Sequence, residues 1–185
     1  MWRILAETLD QAGGYKPEIP PFIEYKPSET RGRCLLDTAA KTLCLLNEIG
    51  VRQIGIRLDC GHSKYGQENP AEVVALLANS RYPYYIHISD NNGKWDWDYM
   101  VASQNFLDCV EFILYPQEYG YRDFLTSDTS PTRWDIRGAF EVNTWITRKI
   151  WDRLSGLDRQ EFRALIRGGD FLKTWRFIEA NSYRL

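Results

Sequence analysis

Short apolar or β-branched runs alternate along the chain with longer stretches whose apolar residues recur at helical spacing, the rhythm of successive βα units. The spacing predicts a helix from about Trp2 to Ala12, stopped by Gly13 and Gly14, then a strand Phe22-Ile23-Glu24-Tyr25-Lys26 ending at Pro27. Ser28 to Thr30 can cap a second helix whose apolar positions Leu35, Leu36, Ala39, Leu43, Leu46 and Ile49 share one side, with Gly50 as its stop. A second strand spans Gln53 to Asp59 and a loop follows from Cys60. Asn69 with Pro70 at the first helical position opens a third helix through Ala78, and Tyr84 to Ser89 reads as a third strand. The polar stretch Asp90 to Asp98 reads as a loop before helical spacing resumes from Tyr99 to Leu114. A short fourth strand, Asp123 to Ser127, is followed by the loop Asp128 to Pro131. Helices near Ile136 to Leu154, Asp158 to Ile166 and Asp170 to Asn181 close the chain, with Trp151, Phe162, Trp175 and Phe177 expected to pack.

Four successive βα units predict an α/β fold with parallel strands, because such crossovers are right-handed and leave every strand pointing the same way. All strand ends then face one side, the side on which α/β barrels place their chemistry. Residues 1–155 read as one partial (β/α) unit and 156–185 as a helical extension packed on it.

The chain has 185 residues, 44% hydrophobic and 14% aromatic, which disfavours a disordered tail or a coiled coil. A net charge of -2 gives no overall basic field, so nucleic acid is not an expected partner. The first residues lack the apolar core of a signal peptide and no apolar run approaches a membrane span; no membrane association is expected, and the cytoplasm is the expected location. Cys34, Cys44, Cys60 and Cys109 form no CxxC pair and read as reduced, buried thiols, the first two on the second helix.

A polar residue stands at or near the end of each strand: Glu24, Asp59, His87 with Asp90 close behind, and Asp128. They recur at roughly the length of one βα unit, about 30–40 residues, so groups distant in sequence converge at one mouth. His62, Asp96 and Asp98 lie in the adjoining loops. So many carboxylates in one cleft cannot all stay ionised unless cations neutralise them or their pKa values rise. Oxygen-rich ligation with one or two imidazoles suits Mg²⁺ or Mn²⁺, with Co²⁺ and Zn²⁺ as alternatives. Taken singly, each carboxylate has a plainer role: a strand-end Asp often caps the next helix.

The segments Ile23-Glu24-Tyr25-Lys26-Pro27, Leu58-Asp59-Cys60-Gly61-His62, Glu68-Asn69-Pro70-Ala71-Glu72, His87-Ile88-Ser89-Asp90, Asp96-Trp97-Asp98 and Ser127-Asp128-Thr129-Ser130-Pro131 resemble, in this order, the xylose isomerase-like TIM barrel superfamily, nearest its xylose and rhamnose isomerase branches. The resemblance implies a first metal on Glu24, Asp59, His87 and Asp128 and a second on Asp59, His62, Asp96 and Asp98, with Asp59 as the bridge. Asp90 is then a supporting group or an alternative ligand. Lys26 resembles the lysine that contacts the sugar's carbonyl region; Lys26, Glu24 and Asp59 are the catalytic candidates. The implied chemistry is aldose to ketose isomerisation of a monosaccharide by a two-metal hydride shift.

Family barrels have eight strands, and this chain resembles the last four, a carboxyl-terminal half. A homo-oligomer or a complementary amino-terminal barrel half is the partner this implies. The competing readings are a noncatalytic metal- or sugar-binding barrel fragment, a sugar epimerase, and an endonuclease IV-like zinc phosphodiesterase, for which two histidines are too few.

Overall fold

The computed structural model of the chain describes residues 1–29, 32–50 and 54–183. Helix α1 (Trp2–Tyr15) is followed by strand β1 (Phe22–Glu24), a small pair β2 (Ser28–Glu29) and β3 (Gly32–Arg33), and helix α2 (Ala39–Ile49). Then come β4 (Gly55–Asp59), α3 (Cys60–Tyr65), α4 (Pro70–Ala78), β5 (Tyr84–Ile88), α5 (Phe106–Glu118) and β6 (Leu125–Ser127). Three helices, α6 (Ile136–Ser155), α7 (Arg159–Gly168) and α8 (Phe171–Ser182), complete the order.

Strands β1, β4, β5 and β6 form one all-parallel sheet, ordered as they occur along the chain. The expected α/β class with parallel strands is thus present. Register divides the side chains into two rows. Ile56, Leu58, Ile86 and Ile88 lie on one face, almost fully buried, with α2 and α4 against β4 and α6 against β6. Phe22, Glu24, Arg57, Asp59, Tyr85, His87 and Thr126 lie on the other. Most of that second row is only half-buried. Gly55 belongs to it, and a Cβ there would come within 2.3 Å of the Phe22 ring, so the ring can lie over β4 only because the residue is glycine.

Several local expectations give way to tertiary contacts. Ser28 does not cap a helix; Ser28 and Glu29 pair antiparallel with Arg33 and Gly32, while Thr30 lies outside the described residues. Helix α2 starts later, where Thr38 accepts from the Lys41 N–H, and Leu36 is buried from the preceding extended segment, its carbonyl bonded to the Lys26 N–H. Gln53, the expected start of the second strand, is also outside the described residues. The loop expected at Cys60 is the short helix α3, because Asp59 is its N-cap. Helix α5 begins at Phe106, not Tyr99, whose backbone bridges to Asp90 instead.

All four cysteines are free; Cys60 and Cys109 are buried, but Cys34 is not helical and Cys44 is exposed on α2, contrary to expectation. At the carboxyl end Phe162 stacks on Phe177 at 5.4 Å, and Arg159 and Arg163 pair with Glu118 of α5. Trp151 packs against the core, whereas Trp175 is exposed. Among the described residues no helix is long and apolar enough to cross a membrane.

Candidate metal centre

Glu24 ends β1, Asp59 ends β4, His87 is the penultimate residue of β5 and Asp128 follows β6, so four consecutive strands of a parallel sheet deliver them to one rim. Ligand atoms from these four residues all lie within 4.8 Å of one another. His87 Nδ1 is 3.1 Å from Glu24 Oε1 and 2.9 Å from Asp128 Oδ2. A carboxylate only accepts, so Nδ1 must carry a proton to bond to either. Burial disfavours that charge, but Glu24 and Asp128 outweigh it and raise the imidazole pKa. Reciprocally, burial would raise Glu24, yet His87, His62 and Arg57 hold its carboxyl below the ordinary value.

Asp59 is fully buried and its two oxygens differ. Oδ1 accepts from the His62 backbone N–H at 3.0 Å and from the Ser89 hydroxyl at 3.0 Å. Oδ2 is buried with no hydrogen-bond partner among the described residues. Burial pushes this carboxyl up to about 6. An unpartnered buried carboxylate oxygen is costly unless a cation takes it. Three carboxylates and one imidazole, with that orphaned oxygen among them, are a donor set that fits a divalent ion.

The second expected foursome is arranged differently. His62 Nδ1 bonds to the Tyr25 carbonyl at 3.0 Å, which fixes the ring and turns Nε2 towards Asp96 Oδ1, 3.4 Å away. Asp96 Oδ1 is also buried without a hydrogen bond among the described residues, while Oδ2 is paired with Lys26 Nζ at 2.6 Å. Burial opposes the charge on His62, but Asp96, Asp59 and Glu24 raise its pKa to about 9. Burial likewise acts against ionised Asp96, yet His62 and Lys26 hold its carboxyl well below the usual range. Asp98 takes a left-handed backbone conformation, φ 46°, tolerated by Asp, and its Oδ2 accepts from the Ser130 hydroxyl at 2.9 Å. Burial and the Asp96 charge raise the Asp98 pKa. Lys26, expected at a sugar carbonyl, pairs with Asp96.

Asp90 is not among the four residues whose ligand atoms converge. Its carboxylate is buried and accepts from the backbone N–H groups of Asn91, Gln104 and Asn105 and from the Asn105 side chain. It ties both ends of the loop that carries Asp96 and Asp98. The sequence suggested Asp90 as a supporting group but not the groups it holds, and it gave no sign of the role of Ser89, because both depend on contacts the Ser-Asp-Asn run does not announce.

No family model matches the chain, and no curated protein matches it.

Proposed function

We propose that this chain is the metal-binding half of a divalent-cation-dependent aldose-ketose isomerase acting on a monosaccharide. The observation that carries the reading is the convergence of Glu24, Asp59, His87 and Asp128 within 4.8 Å, with Asp59 Oδ2 left without a partner. One ion would be held by these four. A second, with Asp59 as bridge, would take His62 Nε2, Asp96 and Asp98. Mn²⁺ or Mg²⁺ is the proposed metal. The chemistry such ions supply is polarisation of two neighbouring sugar oxygens, so that hydride passes between the carbons bearing them while a proton moves between the oxygens. The Tyr25 carbonyl orients His62, and the Ser89 hydroxyl orients Asp59. Lys26 sits at the rim, where its ammonium can steady an oxyanion once Asp96 turns to a metal.

The chain order of the strands supports a half barrel. A parallel sheet wound in one direction keeps its crossover helices on one face and leaves the other bare, and parallel sheets are ordinarily covered on both. The half-buried row of Phe22, Arg57, Tyr85 and Thr126 is that second face, and among the described residues β1 and β6 each pair with a strand on one side only. Four further βα units, on a second copy or on a complementary half, would cover it.

A second reading, a noncatalytic metal-binding fragment, is favoured by one fact. Both histidines lie in the carboxylate cluster, so neither is available to open a sugar ring.

Calorimetric titration of Mn²⁺ into the wild type and Asp59→Asn tests the site: binding in the wild type that is lost on substitution is expected, and no wild-type binding overturns the proposal. Metal-loaded protein incubated with a panel of aldoses should yield ketose without solvent tritium uptake. Binding without turnover selects the second reading.

A further inference from the structure

We infer that Ser89 is a positioning residue of the metal centre, which acts by holding one oxygen of Asp59 so that the other faces the ion. This rests on the metal-centre reading above. The two carboxylate oxygens of Asp59 are chemically equivalent, and rotation of the side chain would exchange them. Among the described residues nothing bonds to Oδ2. Orientation is therefore set at Oδ1 alone, by the His62 N–H, which is backbone, and by the Ser89 Oγ, which is the only side chain in the pair.

The surroundings are built tightly around this contact. Ser89 is 3% exposed. A Cβ on Gly61 would come within 2.5 Å of Ser89 Oγ, 3.0 Å of Asp59 Oδ1 and 3.1 Å of Asn91 Nδ2. Glycine at that position thus makes room for the hydroxyl to reach the carboxylate. Asn91, also buried, donates to the Gly61 carbonyl at 2.5 Å and so locks the strand end carrying Ser89 to the first turn of α3. Ser89 follows β5 and Asp59 ends β4, so the hydroxyl also couples two neighbouring strands that each supply a ligand, His87 and Asp59.

The expected results follow from how partners behind metal ligands act elsewhere: their loss weakens binding by about 10–100-fold, so Ser89→Ala and Gly61→Ala should each lose about tenfold or more in Mn²⁺ affinity, and Ser89→Thr should stay within about threefold of wild type. Affinity is read by calorimetry and by the electron paramagnetic resonance of free Mn²⁺, beside the Tm of each metal-free variant. If Ser89→Ala does not fold, Ser89→Cys keeps the volume with a weaker donor and should weaken binding likewise. Wild-type affinity in Ser89→Ala or Ser89→Cys overturns the inference and leaves the metal centre standing. Equal losses in Ser89→Thr and Ser89→Ala also overturn it, because the hydroxyl is then not what matters. Absence of Mn²⁺ binding in the wild type overturns both.

Discussion

Lys26 Nζ lies 2.6 Å from Asp96 Oδ2, with both side chains largely shielded from solvent. Of the groups near Asp96, His62 and Lys26 are what keep it ionised despite burial. A carboxyl depressed in the folded state contributes stability above its unfolded pKa, and that contribution is lost as pH falls through the folded value. Lys26→Met should therefore lower stability at pH 7 by about 1–3 kcal/mol, between the values for surface and buried pairs, and raise the midpoint of acid unfolding. Urea denaturation across pH 2–7 measures both; unchanged acid unfolding would mean that the pair contributes nothing.

Asp59→Asn should separate stability from metal binding. Asn keeps the side-chain oxygen that caps α3 but carries no charge. Because burial raises Asp59 to about 6, the folded state holds its proton more tightly than the unfolded chain, and stability is lost as pH rises from the ordinary carboxylate value to about 6. Above that pH the substitution should stabilise the metal-free protein by about 1–3 kcal/mol while abolishing Mn²⁺ binding. Chemical denaturation in EDTA at pH 7.5 is the measurement, and a destabilised variant would contradict it.

Metal affinity should climb with pH. His62, raised to about 9, and His87, also raised, must each give up a proton to serve as ligands, and metal binding releases protons. Mn²⁺ affinity should therefore increase from pH 6 to 9, with a calorimetric enthalpy that depends on the buffer's ionisation heat. The metal-free protein should show the opposite trend. His62 contributes stability that is complete below its unfolded pKa and is lost as pH rises through about 9. His62→Gln should flatten that decline. A flat affinity profile in the wild type would remove both histidines from the ligand set.

Asp90→Ala should destabilise by about 2–4 kcal/mol, since it leaves the buried N–H of Asn91 and the part-buried N–H groups of Gln104 and Asn105 without their acceptor. Hydrogen exchange should rise first across residues 90–105. Affinity at the Glu24, Asp59, His87 and Asp128 set should change less than at the loop ligands, because those four lie in or directly after strands of the sheet. A stepwise Mn²⁺ titration reads the two apart.

The four strand-end residues were legible because regular βα spacing and parallel strands suffice to bring them together. Glu24, Asp59, His87 and Asp128 needed no knowledge of loops. What the pattern hid were hydrogen bonds and ion pairs made by particular side chains. Asp59 as a helix cap turned an expected loop into α3, and Asp90 held residues 99–105 out of the helix that their apolar spacing suggested. The pairing of Lys26 with Asp96 likewise depends on a loop path that no periodicity encodes. Cys44 and Trp175 were expected to pack, yet helical spacing alone does not say which side of a helix the rest of the chain covers.

Each strand of the main sheet hydrogen-bonds to the strand that preceded it in that sheet. During synthesis, a newly emerged βα segment meets an edge already formed by earlier residues, so assembly can proceed in the direction of translation without waiting for distant sequence. The rim then fills one side chain at a time, and it is Asp128, directly after the last strand, that closes it.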